Sequence, residues 1–136
     1  MKLALALALA LALAPALLLA AVALAGPPAA QGDPKRGEIA FQKCYACHDL
    51  APANDVAGPS LHAIVGRPVA ARVGFDYSPA LRAFAAREPR WTREMLDRFI
   101  ADPEALVPGT SMTFTGMSDP RERAHLIAYL QASDAS

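Results

Sequence analysis

The 136-residue chain predicts an all-α domain with helices at its two ends and long irregular loops between them. Three observations carry this. Apolar residues near both ends recur at helical spacing, as in Leu126-Ile127 with Leu130. Almost no stretch alternates in the manner of a strand. Residues 49–76 and 104–117 are crowded with Pro, Gly and Asp, which break both helix and strand. Loops of that length in a small domain normally serve function or wrap something.

The first 25 residues stand apart. Met1 and Lys2 lead into alternating Leu and Ala, broken only by Pro15, and the run closes on Ala23-Leu24-Ala25 before Gly26. This reads as a secretory signal peptide cleaved after residue 25, with a second cleavage position after Ala30. The rival is an uncleaved membrane anchor, because roughly 20 apolar residues span a bilayer. Pro15, the Ala-x-Ala ending, the lack of basic residues beyond Lys2 and the short tether from Gly26 to Gln31 favour cleavage. The expectation is a periplasmic, monomeric protein whose single domain spans 32–133. About 110 residues then remain, enough for one modest core. The chain carries 13 basic and 13 acidic residues, so losing Lys2 leaves it one unit negative. No basic patch of nucleic-acid type is present.

In chain order, residues 33–47 predict the first helix. Asp33 is its cap, Pro34 its first residue, and Ile39 and Phe41 the start of its apolar stripe. The first long loop follows. Ser78 to Ala86 predicts a second helix, with Ser78 as cap and Pro79 at its first position. A third starts at Thr92-Arg93-Glu94 and ends at Asp102-Pro103, with Met95, Leu96, Phe99 and Ile100 on its apolar face. A second irregular segment runs from Glu104 to Met117. The last helix begins near Asp119-Pro120 and carries Leu126, Ile127, Tyr129 and Leu130.

Cys44-Tyr45-Ala46-Cys47-His48 joins this scheme to chemistry. Cys-x-x-Cys-His is the attachment signature of a c-type haem. Two thiols one turn apart can add to the two vinyl groups of one porphyrin, and the adjacent imidazole can serve as proximal iron ligand. A thioredoxin-like dithiol needs a βαβ setting that this chain lacks. Zinc would have to recruit His62 or His125 to the two cysteines and His48, without a second ligand pair at zinc spacing. An iron–sulfur cluster generally uses four cysteines, and the chain has two. A covalently held haem also supplies the apolar body that long loops need to pack around.

The candidates for a second axial ligand are Met95, Met112, Met117, His62 and His125. Met95 reads as core filler on a helix stripe, and His125 as a solvated residue beside Arg121 and Arg123. His62 sits too near His48 to reach the far side of a porphyrin. Met112 lies in Pro108-Gly109-Thr110-Ser111-Met112-Thr113-Phe114, where a rigid loop presents one thioether, and is the favoured ligand.

Residues 32–131 resemble class I cytochrome c, in the group of mitochondrial cytochrome c and bacterial cytochrome c2. The likeness includes Gly37, Phe41, the Cys44–His48 motif, Gly58-Pro59, Gly66-Arg67, Tyr77-Ser78, Trp91, Pro108-Gly109-Thr110, Met112 and Leu126 to Leu130. It implies a small cytochrome c fold whose N- and C-terminal helices cross, the loops wrapping one haem c bound through Cys44 and Cys47. It implies His48 and Met112 as axial ligands, and a hydrogen bond from His48 to the Pro59 carbonyl. Arg67, Tyr77 and Trp91 would bind a haem propionate, although a lone tryptophan is ordinarily core and a lone arginine ordinarily solvated. Gly37 and Phe41 would cross Leu126 and Tyr129. The chain also departs from the family. Phe99 stands where a tyrosine commonly touches the Met sulfur, and Leu81 where an asparagine is common. The stretch from Tyr77 to Trp91 is a few residues longer than in mitochondrial relatives. Of the family's lysine ring, Lys43 remains, while Leu106 and Ser111 occupy two typically basic or polar sites.

The resemblance implies a one-electron carrier rather than an enzyme, serving a respiratory or photosynthetic chain through transient docking. A quinol–cytochrome c reductase or periplasmic dehydrogenase would be its donor, and a terminal oxidase or reductase its acceptor. A membrane association would require an uncleaved leader. The competing function is a haem peroxidase or gas-binding protein with a labile Met112.

Overall fold

The computed structural model describes residues 32–134; the expected leader lies outside the described residues. Five helices appear in order: α1 (Pro34–Phe41), α2 (Pro79–Ala85), α3 (Arg93–Ala101), α4 (Pro103–Leu106) and α5 (Pro120–Ser133). Among the described residues the only β-pairing is an isolated antiparallel bridge between Pro68 and Arg90.

Every helix opens in the same way, with a side-chain oxygen accepting from an early backbone N–H. Asp33 caps α1, Ser78 α2, Thr92 α3, Asp102 α4 and Asp119 α5, and proline occupies the first turn of all but α3. The single-turn α4 falls in what the sequence suggested was irregular. Asp102 both ends α3 and caps α4, so one residue terminates a helix and starts another in the space of a turn.

The first helix is shorter than expected. Regular α-helix stops at Phe41, and the chain continues through 47 in tighter turns. Cys44 N bonds to Phe41 O at 2.8 Å and Cys47 N to Cys44 O at 3.0 Å. Such i→i+3 bonds are how helix ends commonly tighten, and here they bring the cysteine motif out of the helix proper. Ile39 is not part of the apolar stripe, being 72% exposed; Gly37, Ala40 and Phe41 form the buried face.

α1 and α5 cross at close quarters. A side-chain carbon on Gly37 would collide with the backbone carbonyl oxygen of His125 and with Tyr129 Cβ. Phe41 and Tyr129 meet beside this point with ring centroids 5.6 Å apart. His125, expected to be solvated, instead accepts the Asp33 backbone N–H at 2.8 Å through Nδ1, fastening the start of α1 to α5. Arg123, one of the charged neighbours on which the reading of His125 rested, is buried. Its Nε donates to Asp97 Oδ1 at 2.7 Å, and Nη1 to the carbonyls of Met117 and Ser118 at 2.8 and 2.9 Å. That guanidinium joins α5, α3 and the chain between them. The core runs continuously from Ala40 and Phe41 through Trp91, Leu96, Phe99 and Ile100 to Leu126, Ile127 and Leu130.

Candidate haem site

His48 leaves the last tight turn after α1, its N–H bonded to Cys44 O at 2.9 Å, and its ring lies partly buried against the first long loop. Nδ1 is 2.8 Å from the Pro59 carbonyl oxygen. A carbonyl can only accept, so Nδ1 carries the proton and Nε2 holds the free lone pair. Burial pulls the imidazole pKa below its ordinary value; the Pro59 bond opposes this and the Arg67 charge adds to it. The result is a neutral imidazole oriented by its other nitrogen, the state a metal ligand requires. Gly58 makes room for it: a Cβ there would strike His48 Cε1 and lie 2.8 Å from Nδ1.

Cys44 is partly buried and Cys47 exposed, and the two are not joined in a disulfide. Burial pushes the Cys44 thiol up to about 11, against a smaller lowering by Lys43. A thiol raised that far is not the activated thiolate of disulfide exchange. Among the described residues no three His, Cys, Asp or Glu side chains gather where they could hold a metal ion.

The first long loop is built by side chain to backbone bonds that sequence reading missed. Ser60 is fully buried, its Oγ donating to Ala51 O at 2.6 Å. Asp55 accepts the Ser60 N–H at 2.8 Å and pairs with Arg72 Nε at 2.8 Å. Arg67 donates through Nη1 to His62 O and through Nη2 to Ser60 O, at 2.8 and 2.9 Å. Its Nε is buried without a hydrogen-bond partner, and none of the ion pairs among the described residues includes it. A half-buried cation with an orphaned buried donor fits an anionic group such as a propionate.

Trp91 is brought to the same region by backbone pairing: Trp91 N bonds to Arg67 O at 2.9 Å, and Gly66 N to Trp91 O at 2.7 Å. Its ring is buried between Phe84 and Phe99, at centroid distances of 6.2 and 5.0 Å. Tyr77 is buried edge-on to Phe75, and its hydroxyl accepts the Arg72 N–H at 3.2 Å, leaving its own proton to donate.

On the other long loop, Met112 is only partly buried, whereas Met95 and Met117 are 7% and 2% exposed within the core. The Met112 backbone N–H bonds to Thr110 Oγ1 at 3.3 Å, and Thr110 N to Val107 O at 3.0 Å, so the turn bearing the thioether is fastened on its N-terminal side. Phe99 and Leu81, two of the departures from the family, both pack with the core.

Comparison with known proteins decides the family. The chain is 39% identical over 102 residues to a cytochrome c2 of Rhodomicrobium vannielii, covering 74% of this chain and 79% of that one. The chain belongs to the class I cytochromes c. It is also 43% identical to a c-type cytochrome, cyt cy, of Rhodobacter capsulatus, over 76% of this chain and 51% of that one. The solved structure of cytochrome cH from Methylobacterium extorquens superposes with a TM-score of 0.69 at 37% identity, covering 74% of this chain and 99% of the other. No protein-family profile matches the chain. As a cytochrome c the protein is an electron carrier with transient redox partners, not an enzyme, and its cofactor is one haem c held covalently through Cys44 and Cys47. No helix among the described residues is long and apolar enough to cross a membrane.

Proposed function

We propose that this cytochrome is a periplasmic shuttle whose iron is closed by His48 and Met112, carrying one electron at a time between respiratory or photosynthetic enzymes. The observation that carries the reading is the His48 Nδ1–Pro59 bond, which leaves the Nε2 lone pair free to coordinate. Met112 supports it as the methionine that the core has not absorbed. The haem supplies a one-electron ferric/ferrous couple, with thioether ligation favouring the ferrous state. The chain's own residues fix the ligand ring, exclude water with Trp91, Phe99 and Leu81, and set Arg67 and Tyr77 to receive a propionate. A filled sixth position leaves no open site for peroxide or gas.

Donors would be a quinol–cytochrome c reductase or a periplasmic dehydrogenase, and acceptors a terminal oxidase or reductase. The expected spectrum of the ferric protein contains the sulfur-to-iron charge-transfer band, lost in Met112→Ala. Survival of the band in that variant would reassign the ligand. The ferrous wild type should not bind carbon monoxide at neutral pH, while Met112→Ala should bind it readily. Fast binding by the wild type would overturn the closed site. Export is checked by finding the haem-bearing protein in the periplasmic fraction with its N-terminus at Gly26 or Gln31.

A further inference from the structure

The overall neutrality of the chain conceals a division of charge. Segments 44–66 and 99–120 carry the haem cysteines, His48 and Met112, and neither contains a lysine or arginine. Between them they hold Asp49, Asp55, Asp102, Glu104 and Asp119. Seven arginines, Arg67 of the haem site among them, lie in 67–98 with four carboxylates. Lys43, the base bordering the cysteine motif, is spent on Glu122, with Nζ 2.6 Å from Oε1.

Two clefts carry carboxylates, the first beside the α1–α5 crossing and the second on segment 99–120. One, of about 350 Å³, is walled by Phe41, Tyr45 and Tyr129 together with the carboxylates of Glu38 and Asp49. Tyr45 is 71% exposed, an aromatic ring held in solvent beside the haem attachment. The other, of about 400 Å³, is lined by Met112, Phe114 and Thr110 with Asp102 and Glu104. Those two carboxylates are held in place by the N–H groups of Ala105 and Gly109, each at 3.0 Å. No base lines either cleft. Aromatic faces beside carboxylates suit a lysine ammonium or an arginine guanidinium.

We propose that the Met112-bearing side of the haem site is a docking surface for a redox partner that presents basic side chains, the Asp102–Glu104 cleft receiving one of them. The proposal rests on the carrier reading above and names the partner's charge. Complementary charge raises encounter rates by amounts that salt removes, and at physiological ionic strength it acts within about 8 Å. Charge at the electron port is therefore readable with small redox probes of either sign.

The test is stopped-flow oxidation of the ferrous holoprotein by tris(phenanthroline)cobalt(III), a cation, and by ferricyanide, an anion, across ionic strength. The expected result is a cobalt rate that falls several-fold as salt rises and a ferricyanide rate that rises. Asp102→Asn with Glu104→Gln keeps the acceptor oxygens of α4 and its loop and should flatten both slopes. Glu88→Gln with Glu94→Gln changes net charge equally outside these segments, and should leave the slopes close to wild type. A redox titration of both double variants checks that the driving force has not moved. Slopes of the opposite sign, flat slopes in the wild type, or equal effects of the two double variants would overturn the proposal. Failure of the carrier reading looks different: slow oxidation by both probes, with ready carbon monoxide binding.

Discussion

Gly58 and His48 together make the smallest unit of the site. The glycine's missing side chain is the space that the imidazole occupies, and the neighbouring Pro59 carbonyl fixes the ring's tautomer. The Gly58 backbone is not among the left-handed conformations, so alanine there meets a steric cost alone. Overpacking of this kind costs about 1–3 kcal/mol, and the ring it displaces is the proposed iron ligand. Gly58→Ala is expected to lower the denaturant midpoint of the holoprotein by that amount and to shift its ligand-sensitive absorption. A variant with wild-type midpoint and spectrum would show that the ring has room to move. Arg67 is the opposite kind of residue. Two of its donors build the loop and the third is left without a partner, so one side chain serves both the fold and the site.

At the level of helices, the α1–α5 crossing decides whether the ends of the chain can close around the site. Two effects compete at Gly37. Alanine is favoured over glycine in a helix by about 1 kcal/mol, but here its Cβ meets a backbone oxygen that no rotamer change can move aside. The clash wins. Gly37→Ala is expected to destabilise by about 2 kcal/mol in urea titration; a neutral or stabilising result would mean that the crossing is looser than it looks. His125 reinforces the same contact from the side, and Arg123 ties α5 to α3. Both lie on the last helix, which therefore packs by hydrogen bonds as well as by Leu126, Ile127 and Leu130.

Across the whole molecule, carboxylates and arginines add to apolar packing in holding the first long loop, and that makes the fold acid-sensitive. Asp55 is held below its ordinary pKa first by its hydrogen bond from Arg72 and then by the Ser60 N–H. Asp49 is held down by the Ala51 N–H and then by the Asn54 amide. A depressed folded-state pKa means that the unfolded chain binds the proton first. The stabilisation is complete above the ordinary carboxylate range and disappears as pH falls through the depressed values. Thermal melts should therefore show Tm falling on acidification. The gap between wild type and Arg72→Gln, largest near neutrality, should close at the acid end. A gap independent of pH would remove the Asp55–Arg72 pair from the explanation.

Much of this was legible along the chain because it is local. Caps at Asp33, Ser78, Thr92 and Asp119, prolines at first turns and the spacing of Cys44, Cys47 and His48 act over a few residues. The Gly37 crossing was legible through the family likeness. The tightening of residues 42–47, the solvent-facing Ile39 and the one-turn α4 were not, because each depends on what the neighbouring segment leaves free. His125 misled for the same reason: a polar side chain among charged neighbours looks solvated until a partner 92 residues away is brought to it. The sequence by itself determined that one haem is attached, by which thiols, and which helices frame it, since covalent chemistry and helix periodicity are written at short range. Only the tertiary structure decided that the His48–Pro59 bond runs through Nδ1, that Met117 is taken up by the core, which donor of Arg67 has no partner and that Lys43 is paired with Glu122. Burial and hydrogen bonding are properties of residues distant in the chain that meet in space.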